Sequence, residues 1–342
     1  MNQQKNIFII ISTVFVFLLT IPCVNAVESE KSSNQLNLSA LTEPILHLVP
    51  EAQRPSKFKV CYRDPAVWYE NGKFYFFFTL IEMDDKGAPY SFVATTVSSD
   101  LIHFEPIRKL TPCDLALNYG SPGNVVRYNN EYCLCVQTYC QENGERYGNA
   151  NSRVWLMRSQ DLRNWSAPEL LRVKGDDVPQ EKMGRMIDPY LIEDRAHPGL
   201  WWCFYKQNGV SISSSRDLKH WTFHRSVACG ENVCILYDDS TQSYRLWNSP
   251  QNGIGEMRSK NLTDWVKVDR LITLGQKEWP WARGRLTAAV VLDLRKEKSV
   301  GKALMFFHAS EKTEQELFPH GTCLGIAWSD DLEQWTWPGK SR

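Results

Sequence analysis

Beyond residue 59 the chain alternates short apolar runs with polar breaks, and no stretch keeps the spacing of a long amphipathic helix. Residues 64–69 predict a first strand. Asn71-Gly72 then marks a hairpin, because both residue types tolerate positive φ. Residues 74–79 are apolar on both parities, the pattern of a strand buried on both faces. Residues 91–98 and 103–108 complete a set of four. The same four steps return at 123–128, 132–138, 154–158 and 165–171, with Asn129-Asn130 as the first turn. They return again at 189–192, 200–206, 210–214 and 221–225; at 232–237, 243–249, 255–258 and 265–271; and at 287–294, 303–309, 323–328 and 335–337.

Each set carries the same phrase between its third and fourth strands: a Ser, an Asp or Asn, a Leu, two polar residues and an aromatic. The first copy reads Ser99-Asp100-Leu101-Ile102-His103-Phe104, and the others centre on Leu162, Leu218, Leu262 and Leu332. The spacings between these leucines are 61, 56, 44 and 70 residues. One unit used five times, with four antiparallel strands in each, predicts an all-β chain folded as a five-bladed β-propeller. In that fold the phrase has a structural job. Its Ser and Asp or Asn bond turn backbone groups, and its Leu and aromatic bury between blades. Its acids are therefore not assigned to chemistry. The fifth set has its own outer strand, so the ring is expected to close without a strand from the N-terminus. The alternative fold, a six-bladed sialidase-type propeller, also repeats Ser, Asp and Trp, but here the glycine of that repeat is missing and the units number five.

Residues 1–26 read as a secretory signal peptide: Lys5, an apolar run from Ile7 to Ile21, and small residues ending at Ala26. A secreted or periplasmic location is expected, with no membrane attachment after cleavage. Residues 27–57 are polar and mixed and read as a surface leader, leaving 58–342 as a single propeller domain. Cleavage leaves 38 basic and 39 acidic residues, a balance that offers nothing to nucleic acid. Nine cysteines remain, an odd number with no CxxC pair, which implies buried thiols with one or two disulfides at most and no metal centre of that type.

Inner strands of a propeller converge, and their starts ring one mouth of the central channel. Asp64 precedes the first, residues 121–124 the second, Asp188 the third, Glu231 the fourth and Arg285 the fifth. Carboxylates around one hollow can divide labour, one taking a proton from water and another giving one to a leaving group, while a third raises the acid's proton affinity.

Asp64-Pro65 with its hairpin, the run from Ile187 to Asp194, and Glu231 opening the fourth unit resemble glycoside hydrolase family 43 and its wider group of arabinanases, arabinofuranosidases, xylosidases, levansucrases and invertases. The resemblance covers residues 58–342. It implies a hydrolase of plant- or algal-type poly- or oligosaccharides, with Asp64 as base, Asp188 as modulator of proton affinity and Glu231 as acid. It also implies inversion at the reacting carbon and chemistry without a cofactor or metal; propellers of this group sometimes hold a structural calcium ion. A monomer is expected. The text after Glu231 is Asn232-Val233 where that family has Gly-Pro or Ala-Pro, so Glu256 stands as a second candidate for the acid.

Sugars stack on aromatic faces and bond to planar donors. Trp279 and Trp281, in the loop that leads to Arg285 and the fifth inner strand, are candidates for a pocket wall. Arg63 and Arg185, flanking the two Asp-Pro sites, are candidates for substrate contact. Trp68 and His308 join them, each also readable as packing. Two other functions fit the same mouth: a non-catalytic glycan-binding propeller, and a retaining fructan-type enzyme with Asp64 as nucleophile.

Overall fold

A computed structural model describes residues 35–56, 59–313 and 321–340. The expected signal peptide lies outside the described residues. Among those residues helix is confined to short pieces such as Gln180–Met183, and none is long and apolar enough to cross a membrane.

The strands form five antiparallel sheets in chain order. Blade one is Val60–Glu70, Lys73–Met83, Pro89–Ser98 and Arg108–Lys109. Blade two has an inner strand in two pieces, Tyr119–Gly120 and Val125–Tyr128, followed by Glu131–Thr138, Val154–Ser159 and Glu169–Leu170. Blade three is Ile187–Glu193, Trp201–Lys206, Val210–Ser215 and Thr222–Val227. Blade four is Glu231–Asp238, Ser243–Ser249, Ile254–Ser259 and Trp265–Ile272. Blade five is Arg285–Leu294, Lys302–Ser310 and Thr322–Ser329. The inner strand of blade five touches those of blades four and one, which closes a five-bladed β-propeller rather than a six-bladed one.

Packing follows the period-two rule. Phe74, Phe76, Phe77 and Phe78 are all buried. Phe76 meets Phe306 of blade five edge-on at 5.1 Å, and Phe77 meets Trp165 of blade two at 5.2 Å. Successive side chains of one strand thus join blade one to both its neighbours, each large ring contributing about 2–3 kcal/mol of burial.

The repeated phrase has one geometry throughout. The Ser hydroxyl lies 3.0–3.2 Å from the Asp or Asn oxygen in all five copies. That oxygen accepts the two backbone N–H groups that follow, as Asp161 does from Arg163 and Asn164 at 2.8 and 2.7 Å. All five leucines are buried with φ between 56° and 66°. In blade one the participating serine is Ser98, not Ser99. The hydroxyl must reach forward two residues, and Ser98 has the spacing of the other copies.

Two expectations are corrected at the N-terminal side of the ring. Leu46 donates to Leu324, and Ile326 donates to Pro44, so the segment lies along the third strand of blade five. The fifth blade's own outer residues pair only at Trp328 with Thr336, which leaves the adjoining edge open to this segment. Residues 27–57 are therefore not only a surface leader, because Pro44, Leu46 and Leu48 are buried. The nine cysteines described are all free thiols, six of them buried, without a disulfide among them. Burial pushes Cys135 up to about 12 and Cys234 up to about 11, which leaves them inert.

Candidate active site

Each inner strand breaks register near its start. The residue at the break has positive φ in every blade: Asp64 (48°), Ser121 (39°), Asp188 (50°), Asn232 (50°) and Ala288 (52°). These bulges turn the strand starts toward the channel. Glu231 sits one residue before the bulge of blade four, so it enters the mouth from a different backbone position than the two aspartates.

Asp64, Asp188 and Glu231 line one cavity of about 180 Å³, together with Arg63 and Arg185. Blades one, three and four thus bring together the three acids that the sequence placed at strand starts. Asp64 Oδ2 accepts the Thr79 hydroxyl at 2.8 Å. Thr79 in turn accepts the Ser121 backbone N–H at 2.7 Å, and the Ser121 hydroxyl donates to Asp188 Oδ1 at 2.8 Å. Blade two therefore ties the two aspartates together. The Asp188 N–H is taken by Gln137 Oε1 at 2.5 Å. A Cβ on Gly123 would come within 1.5 Å of the Pro189 carbonyl oxygen, so blades two and three approach this closely only with glycine there.

Proton affinities divide. Burial raises Asp188, and the charges of Glu231 and Asp64 raise it further, to about 7. Burial also pushes Asp64 upward, but His308, Arg63 and the Thr79 hydroxyl outweigh it and hold this carboxyl below the usual range. Burial lowers the proton affinity of His308, against the pull of the Asp64 carboxylate. Its Nδ1 lies 3.0 Å from the Asp64 backbone nitrogen and 3.3 Å from Asp64 Oδ1. Near neutral pH Asp64 is ionised, while Asp188 is poised between its two protonation states. Glu231 lies 3.2 Å from the Arg285 guanidinium.

The remaining candidates separate. Arg63 and Arg185 line the cavity, and Arg285 reaches it through Glu231. His308 sits behind Asp64 as a support. Trp68 packs edge-on against Tyr132 of blade two at 5.9 Å and lines no part of the cavity. Trp279 and Trp281 are corrected likewise. Trp279 is stacked on Trp281 at 5.7 Å and on Phe307 at 6.1 Å, with Trp337 at its edge. The loop folds back onto blade five because this stack buries more apolar surface than a wall over the mouth would. Glu256 is excluded from the mouth, being buried in an ion network with Arg245, Arg258 and Arg270. Residues not foreseen are Thr79, Gln137, Tyr139 and Tyr147, all at the cavity, where Ser121 stands at the expected start of the second inner strand. The polar positions inside the otherwise apolar runs 74–79 and 132–138 were the available signal for Thr79 and Gln137. Among the described residues no group of three or more His, Cys, Asp or Glu is arranged to hold a metal ion.

No protein-family model matches the chain, and no curated protein sequence does. Solved structures do. A thermostable family-43 glycoside hydrolase aligns with a TM-score of 0.57 at 14% identity, over 83% of this chain and 94% of its own. An exo-1,5-alpha-L-arabinanase from a bovine ruminal metagenomic library aligns at 0.56 and 16% identity, over 80% and 95%. A family 117 glycoside hydrolase produced by the marine bacterium Zobellia galactanivorans aligns at 0.58 and 13% identity, over 84% and 91%. At these identities the likeness establishes the fold: this chain shares its propeller with solved glycoside hydrolases.

Proposed function

We propose that this chain is a secreted or periplasmic glycoside hydrolase acting as a monomer on plant- or algal-type poly- or oligosaccharides, of the family 43 kind. The observation that carries the reading is the convergence of Asp64, Asp188 and Glu231, from three blades, on one cavity. The fold shared with solved glycoside hydrolases supports it.

In this reading a water molecule attacks the anomeric carbon from one face of the sugar. Asp64, held ionised, takes a proton from that water. The glycosidic oxygen leaves from the opposite face with the electrons of the broken bond and takes a proton from Glu231. The product anomer is inverted, and the two carboxyls exchange their proton with solvent to reset. Asp188, tied to Ser121, keeps a proton in the group and adjusts its neighbours' affinity. The chemistry needs no cofactor or metal.

One observation favours a second assignment within the same reaction. Glu231 is ion-paired with the Arg285 guanidinium at 3.2 Å, while Asp188 is the carboxyl raised to about 7. Asp188 would then be the acid. The test compares Glu231→Gln and Asp188→Asn on an oligosaccharide and on an aryl glycoside with a good leaving group. The variant lacking the acid loses about 10²–10⁴ in turnover on the oligosaccharide and far less on the aryl glycoside. Equal losses on both substrates in both variants remove the acid role from each. Anomer analysis of the first product checks inversion. Binding of every glycan without any product would leave the non-catalytic alternative.

A further inference from the structure

The cavity wall between blades two and three carries an arginine that the chemistry above does not use. Arg185 lines the cavity, its guanidinium lies 5.4 Å over the Tyr139 ring, and its Nε is buried without a hydrogen-bond partner among the described residues. An unpartnered Nε is not peculiar to Arg185, since Arg153 and Arg270 share it, but the terminal nitrogens of other interior arginines are spent on the protein. Arg153 donates to four backbone carbonyls, and Arg245 binds Asp238, Glu256 and Glu333. A planar guanidinium stacked on an aromatic ring and turned to a hollow is pre-organised for an anion. Tyr147 also lines the cavity and is 43% exposed; the Arg146 guanidinium lies 5.4 Å over its ring, and the opposite face is the one a sugar ring would use. Charge agrees with this. Arg63, Arg185 and Arg285 stand against Asp64, Asp188 and Glu231, and the upward shift of Asp188 weakens the negative side of that balance.

Resting on the hydrolase reading, we propose that the substrate is an anionic glycan whose carboxylate or sulfate is held by Arg185 while its ring stacks on Tyr147. This narrows the substrate from glycans in general to those bearing an acidic group on the sugar bound beside the reacting one. It also gives Arg185 a role in specificity rather than in bond cleavage.

The test uses the full chain and two sets of probes. One is a panel of uronic-acid oligosaccharides, each compared with the same oligomer after reduction of its carboxyl groups. The other is a panel of sulfated oligosaccharides, each compared with its desulfated form. The charged member of at least one pair should bind at least about tenfold more tightly than its neutral partner, as expected of a charge-assisted hydrogen bond. The preferred pair identifies carboxylate or sulfate as the source. Arg185→Gln should bring that ratio below about threefold, Arg185→Lys should keep part of it, and Arg163→Gln on the surface should leave it unchanged. Tyr147→Ala should weaken both members of a pair alike, by roughly three- to tenfold. Ratios near one in every wild-type pair overturn the proposal, as does a ratio that survives Arg185→Gln, or failure to bind any probe. Hydrolysis of charged and neutral members alike sinks this inference and leaves the hydrolase reading standing. Tight binding of charged members without cleavage does the reverse.

Discussion

Asp238, Glu256 and Glu333 lie among Arg245, Arg258 and Arg270 at the seam of blades four and five. Asp64, Asp188 and Glu231 lie among Arg63, Arg185 and Arg285 at the mouth. Both groups set carboxylates against arginines at least partly out of water, yet they differ in what holds the charges. At the seam the carboxylates meet guanidinium groups directly, with Arg245 placed 2.8 Å from Asp238 and 2.6 Å from Glu333. Bonds to Ser240 and Arg245 outweigh burial and bring Asp238 down to about 2. At the mouth the aspartates rest on hydroxyls of Thr79 and Ser121 around a hollow, and Asp188 rises to about 7. Direct pairing fixes protons, whereas a hollow bordered by like charges leaves one free to move.

The largest expected effect breaks the comparison at its centre. Asp64→Asn removes the ionised carboxylate while keeping an acceptor for Thr79 and a residue that tolerates φ of 48°. Turnover on a cleaved oligosaccharide should fall by about 10²–10⁴ with the melting temperature nearly unchanged. Wild-type turnover would remove Asp64 from the reaction. Arg245→Met is the counterpart at the seam. It leaves Asp238 and Glu256 buried without that partner and should cost about 3–5 kcal/mol of stability in denaturant titration. Turnover per folded molecule should stay the same. A variant as stable as wild type would mean the seam's charges are relaxed by water.

The two groups should also respond to pH with opposite sign. Asp238 has a folded value below its ordinary 3.8, so its stabilisation is present above pH 4 and is lost as pH falls toward about 2. Asp188 has a folded value above 3.8, so the folded state binds the extra proton and stability is lost as pH rises from about 4 through about 7. The stability advantage of Asp188→Asn over wild type should therefore grow between pH 5 and pH 8, as read by parallel denaturant titrations. A constant difference across that range would show that Asp188 carries no proton at neutral pH.

The mouth was legible in the sequence because propeller units repeat, and a repeat indexes positions that lie far apart. Asp64, Asp188 and Glu231 could be placed by counting from each inner strand. The bulge could not, since Ser121 and Ala288 give little hint of a positive φ. The seam was invisible for the opposite reason. Arg245, Glu256 and Glu333 hold no common place in the unit, and only the contact of blades four and five unites them. Trp279 misled because an aromatic-rich loop before an inner strand reads equally as a pocket wall or a packed stack, and Phe307, which decides the matter, is remote in sequence. The strap on blade five left no clear mark: Pro44, Leu46 and Leu48 are buried in alternation, but Ile45 and Val49 between and after them are apolar too.

The smallest expected effect concerns the repeated phrase, which stands outside both groups and serves as their control. Asp161 holds its carboxylate through the N–H groups of Arg163 and Asn164, and these bonds keep it well below the usual range although it is exposed. Were the charge itself the point, an amide there would be costly. Blade four argues otherwise, because Asn261 makes the same two contacts, to Thr263 and Asp264, at 3.1 and 2.9 Å. An oxygen at that place is what the turn needs, and the negative charge is incidental. Asp161→Ala should therefore cost about 1 kcal/mol, the worth of a lost cap, and Asp161→Asn a few tenths. Both should leave turnover untouched, since the turn lies on the outer part of blade two. Equal losses from the amide and the alanine would mean that charge, rather than the shape of the acceptor, has kept aspartate in four of the five copies.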